Sequence, residues 1–91
     1  MPYIKKEQRP EIDCVMGELI EYISRFPVEN HDGMVNYAVT KILIGLYPRG
    51  YFHYNRVMGV LECIKQEFYR RRVAEYENEK IRDNGDVYDD Y

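Results

Sequence analysis

The sequence has no tryptophan, two histidines, two cysteines and no long apolar run. Each shortage removes a class of function. No segment approaches the ~18 apolar residues that a membrane span needs. The first residues carry Lys5, Lys6, Glu7 and Arg9 in place of a secretory signal, so the expectation is a cytoplasmic protein without a membrane partner. Nothing in the spacing of Cys14 and Cys63 suggests a metal knuckle or a redox pair, and they fall in different predicted helices. They read as buried thiols in a reducing cytosol rather than as a disulfide. There is no Gly-rich phosphate loop, nucleophile elbow or pair of metal-binding cysteines. Catalysis is therefore disfavoured, and no catalytic residue, metal ligand or cofactor is assigned, although an active site shared between subunits stays open.

What remains is an ordinary composition with one excess. The 91 residues are 45% hydrophobic and 32% charged, which suits one helical domain, 1–91, with a single modest core. Ten tyrosines stand out. Tyrosine joins apolar area to a hydroxyl that seeks a partner, so an excess suits interfaces, a ligand pocket or wet core edges. The net charge of -3 argues against a general nucleic-acid coat. That value hides a division along the chain. Residues 49–72 hold six basic and two acidic side chains, a balance of +4, and residues 73–91 hold two basic and seven acidic ones, a balance of -5.

Hydrophobic periodicity predicts an all-α fold of three main helices. After a short polar arm (1–9) that Tyr3 and Ile4 pin to the body, Pro10 suits a first helical turn. Ile12, Val15, Met16, Leu19, Ile20, Ile23 and Phe26 then form an amphipathic stripe that Pro27 ends. Residues 28–32 read as a connection, with Asn30 or Asp32 capping a second helix over residues 33–47. Its stripe is Val35, Ala38, Val39, Ile42, Leu43 and Leu46. The first two helices are expected to form an antiparallel pair. Tyr47-Pro48-Arg49-Gly50 is a turn. Tyr51, Phe52, His53 and Tyr54 read as an extended aromatic linker.

A third helix is predicted over residues 54–80, with Asn55 as N-cap and the stop signal Asn84-Gly85 just past its end. It is expected to cross the first two. Tyr54, Val57, Met58, Leu61, Ile64, Phe68 and Tyr76 form its stripe, with a looser join around Arg71 and Arg72. Glu67 with Arg71, and Arg71 with Glu75, stand four apart and support it. At ~1.5 Å per residue the helix reaches roughly 40 Å, against a radius of gyration of about 12 Å for a compact domain of this size. A homo-oligomer is the expectation. An acidic tail, 83–91, follows, with its last residues mobile. Gly17, Gly45 and Gly59 fall one in each helix, either where backbones approach closely or at exposed positions that tolerate them.

Several runs resemble a family of small uncharacterised proteins of bacteria, archaea and bacteriophages. They are Met1-Pro2-Tyr3-Ile4, Asn36-Tyr37 soon after Gly33, Gly59-Val60-Leu61-Glu62-Cys63, Glu67-Phe68-Tyr69-Arg70-Arg71, and Tyr76-Glu77 with Lys80-Ile81 and Asn84-Gly85-Asp86-Val87-Tyr88. The likeness covers most of the chain. Val35 stands where that family leads one to expect leucine. The resemblance implies a phage or mobile-element setting, and no mechanism.

Three groupings bear on chemistry. His31-Asp32 is similar to the doublet of metal-dependent phosphohydrolases, but only His53 remains as a further histidine, so loop and cap roles fit better. Glu62, Glu67, Glu75, Glu77 and Glu79 suggest a magnesium-binding helix, yet Glu62 and Glu67 lie about 140° apart around it, as a solvated face would have them. Arg70, Arg71 and Arg72 with Tyr69, plus Arg49, Tyr51, His53 and Tyr54, are the candidate ligand site. Guanidinium groups grip phosphates and aromatic faces stack on bases. The competing reading is that the arginines diverge and Glu67 and Glu75 neutralise Arg71.

These observations rank three roles. The first is a non-enzymatic module, anti-defence in character, that sequesters a phosphorylated small ligand such as a signalling nucleotide between subunits. The second is an inhibitor or adaptor that acts on a host protein. The third is a metal-dependent nucleotide hydrolase.

Overall fold

A computed structural model describes residues 4–88. Tyr3 of the expected arm, and residues 89–91 of the expected mobile tail, lie outside the described residues. The fold is all-α, as the periodicity predicts, and its contacts divide the chain into two units, Met1–Pro48 and Arg49–Tyr91.

The first unit opens with a 3₁₀ turn, Lys6–Gln8, so the arm is partly helical. Helix α1 spans Arg9–Ser24 with Pro10 in its first turn, where its missing N–H costs no hydrogen bond. Arg25 caps the other end and forms a two-pronged pair with Glu21, at 2.6 and 3.0 Å. Helix α2 spans Val28–Leu46 and begins five residues earlier than its cap-forming residues suggest. Residues 28–32 are thus helix and not connection, and neither Asn30 nor Asp32 is the cap. Pro27 takes that position in an extended conformation, and its carbonyl accepts the N–H of Asn30 at 2.9 Å. His31 Nε2 bonds the Phe26 carbonyl at 2.9 Å, satisfying an acceptor that the end of α1 leaves open. Helices α1 and α2 touch near this junction.

The second unit is one continuous helical rod. Gly50 precedes it with φ 128°, a conformation that only glycine adopts without strain, and its carbonyl receives the N–H of Tyr54 at 2.9 Å. Helix α3, Tyr51–Phe68, therefore starts at the aromatic cluster, which is a first turn and not an extended linker, and Asn55 lies inside the helix. A π-helical turn, Tyr69–Val73, follows, and then helix α4, Ala74–Asn84. Gly85, with φ 85°, stops the rod by donating its N–H to the Ile81 carbonyl at 2.9 Å, where Asn84-Gly85 predicts an end. The first residues assigned to the tail, Asp83 and Asn84, are helical. The helical run is 34 residues and reaches roughly 50 Å.

The π turn explains the loose join in the stripe. In a regular α-helix the next positions below Phe68 on its face are Arg71 and Arg72. The wider turn, closed by i→i+5 bonds, moves the phase by one residue and brings Val73 below Phe68, and Val73 and its neighbour Ala74 are half-buried. It also shifts the phase of Glu75. Among the described residues Arg71 pairs with Glu67, at 3.6 Å, and the expected pair with Glu75 is not formed.

The single modest core is not found: among the described residues none is buried. Within the second unit a single rod holds no second layer of its own, and within the first unit two helices that meet near their junction leave most of their stripes open. Val15 is 66% exposed, Ile20 62% and Leu46 73%. Cys14 and Cys63 are free but exposed, so the expected burial of the thiols is absent. A Cβ built on Gly17, Gly45 or Gly59 meets nothing within 4 Å, which places all three at open positions rather than at close approaches.

Candidate functional site

Every candidate ligand residue lies in the second unit, in two places along the rod. Arg49 stands just before Gly50, and Tyr51, His53 and Tyr54 occupy the first turn of α3. Tyr69, Arg70 and Arg71 occupy the π turn, with Arg72. Fifteen to twenty residues of helix separate the places, roughly 25 Å at ~1.5 Å per residue. One copy therefore does not bring the aromatic end and the arginine run together.

At the aromatic end the geometry joins residues of which only His53 belongs to the candidate set. The rings of Phe52 and His53 meet edge to face at 5.2 Å, and the Arg56 guanidinium lies 5.8 Å from the Phe52 ring centre. Arg56 Nη1 donates to His53 Nδ1 at 3.2 Å. Sequence reasoning passed over Phe52 and Arg56 as ligand residues, although an aromatic ring and an arginine four apart on a helix are neighbours. Tyr51, 83% exposed, is open for stacking.

At the π turn two of the four side chains are already engaged. Arg71 pairs with Glu67. The Tyr69 hydroxyl donates to Glu77 Oε1 at 2.8 Å, two turns further on. That hydrogen bond, and then the charge of the Glu77 carboxylate, hold the phenol above the ordinary tyrosine range. Arg70 and Arg72 form no ion pair among the described residues, which leaves two guanidinium groups with unspent hydrogen-bond donors side by side in the chain.

The acidic candidates are spread out. Glu62 accepts from Gln66 at 2.8 Å and lies 3.8 Å from Lys65, while Glu67 serves Arg71. Among the described residues no three His, Cys, Asp or Glu side chains are grouped to hold a metal ion. His31 is engaged by the Phe26 carbonyl, a junction role. No helix of the described residues is long and apolar enough to cross a membrane.

No curated protein and no solved structure matches the chain. The family model that does match is described as a domain of unknown function (DUF6899). It covers residues 1–87, nearly the whole length, and includes both ends of the rod and the junction of α1 with α2. The protein belongs to that family.

Proposed function

We propose that this protein is a non-enzymatic binding module that works as a homo-oligomer and captures a phosphorylated small ligand, such as a signalling nucleotide, at a seam between copies. The observation that carries the reading is the π turn. Arg70 and Arg72 leave it without an ion pair among the described residues, on a rod whose apolar stripe is also uncovered, with Phe68 63% exposed. Guanidinium donors with no carboxylate to hold them suit phosphate oxygens. Two exposed arginines on one helix enclose nothing, so a second copy has to supply the other wall. The setting is a cytoplasmic protein of phage or mobile-element type with an anti-defence role.

Native mass spectrometry of the assembled protein against mono-, di- and cyclic nucleotides tests this. Retention of one class, lost in the double variant Arg70→Ala, Arg72→Ala, is the expected result. Failure to retain any of them overturns the ligand.

A second reading, an inhibitor or adaptor of a host protein, is favoured by the open stripes of α1 and α2. Affinity purification that returns one stoichiometric partner, together with no retained nucleotide, selects it over the first.

A further inference from the structure

We infer that two copies of the rod pair antiparallel along their full length, about a two-fold axis between Glu67 and Phe68. This rests on the homo-oligomer of the proposed function and not on its ligand. Two observations lead to it.

The first is where the uncovered stripe runs. It runs along α3 to Phe68, and beyond the π turn the apolar side chains are the half-buried Val73 and Ala74 and the exposed Tyr76 and Ile81. A partner of equal length covers the whole of it, and a second copy has that length. Antiparallel overlap sets Tyr54 beside Ile81 of the second copy, Leu61 beside Ala74, and Phe68 near the axis. Tyr54, Phe68 and Ile81 are exposed, at 54%, 63% and 42%, and Leu61 and Ala74 are half-buried.

The second is charge. Residues 49–60 carry Arg49 and Arg56 and no acidic side chain, a balance of +2, and this register lays them against residues 75–86. Residues 75–86 carry Glu75, Glu77, Glu79, Asp83 and Asp86 against Lys80 and Arg82, a balance of -3. Antiparallel pairing lays the basic end of one rod along the acidic end of the other, twice over. Parallel pairing sets like against like at both ends.

The register has a consequence for the ligand. Arg70, Arg71 and Arg72 of both copies fall within about 7 Å of the axis along the rods. Six guanidinium groups then concentrate at the seam with two Glu67 carboxylates to offset them. An anion offering phosphates to both copies relieves that excess. Tyr54 lies at the far end, where it covers the partner's Ile81, Tyr51 falls beside the partner's Asn84, and neither takes part in ligand binding.

Pulsed electron spin resonance on the full chain tests the register. Single spin labels go at Asn55→Cys or Gln66→Cys, with Cys14→Ser and Cys63→Ser to remove the native thiols. Both positions face away from the stripe. Antiparallel pairing separates the two Asn55 labels by roughly 38 Å along the axis and the two Gln66 labels by only about 5 Å. Equal distances at the two positions mean a parallel pair and overturn the register while leaving the oligomer intact. A longer distance at Gln66 than at Asn55 means a shifted overlap and does the same. No dipolar coupling at either position, with a single-chain mass by sedimentation, overturns the oligomer itself.

A charge swap reads the same question without labels. Glu79→Lys weakens the antiparallel dimer and adding Arg56→Glu restores it. Strengthening by Glu79→Lys alone marks a parallel pair and rejects the proposal.

Discussion

The two units treat an interruption in opposite ways. In the first, Pro27 fixes the backbone, α1 ends, and the chain makes its junction with Pro27 and His31 each closing a local hydrogen bond. In the second, three arginines interrupt the apolar stripe but leave every backbone N–H available, and the helix continues through a π turn. A helix stops where the backbone cannot form its bonds. Where only the phase of the side chains fails, it adjusts its pitch and goes on.

Breaking the rod tests that contrast most strongly. Gln66→Pro removes a hydrogen bond inside α3 and costs about 3 kcal/mol or more. Urea unfolding followed by circular dichroism is expected to lose the helicity of the rod and, with it, self-association in sedimentation.

The junction of the first unit is held by smaller terms. His31→Ala leaves the Phe26 carbonyl to solvent and is expected to cost about 1 kcal/mol, the net worth of one hydrogen bond. A loss near 3 kcal/mol in the same urea experiment would make His31 a packing residue and weaken the comparison.

Gly59→Ala sharpens it from the other side. Nothing lies within 4 Å of the added Cβ, so the rod is expected to gain about 0.8–1 kcal/mol of helix propensity. A destabilised Gly59→Ala protein would reveal a backbone contact at that position in the assembled state.

The smallest effect is at the π turn and depends on pH. Tyr69 has its pKa raised in the folded chain because its proton bridges to Glu77. The stabilisation is complete below the ordinary tyrosine pKa of about 10 and is lost as pH rises through the higher folded value. A spectrophotometric titration should show one late-ionising tyrosine that Tyr69→Phe removes and Glu77→Gln returns to the ordinary range. A titration unchanged by either substitution would mean that the hydrogen bond does not form in solution.

Element type was readable from the residues, and element starts were less so. Asn30 and Asp32 are good cap formers, yet the chain caps α2 with Pro27, whose ring presets φ, and buries no advantage by waiting for them. Tyr51, Phe52, His53 and Tyr54 have modest helix propensity and read as a linker. Gly50 overrides that by supplying a backbone angle from which the helix can begin at once. The candidate site was legible as two sets of residue types, guanidinium and aromatic. Their separation by roughly 25 Å along one rod follows only when the linker is recognised as helix.

By itself the sequence determined three apolar stripes at helical spacing, the break between helices at Pro27, the stop at Gly85 and the opposite charge of the two ends of the rod. Those are local matters, settled within one or two turns by backbone angles and side-chain period. Tertiary structure alone decided that Tyr69–Val73 winds as a π turn, that Tyr69 bonds Glu77, that Arg70 and Arg72 stay without an ion pair among the described residues, and that the stripes lie open. Each of these depends on helical phase summed over many residues and on which surfaces find a neighbour, and neither quantity is contained in any short stretch of chain.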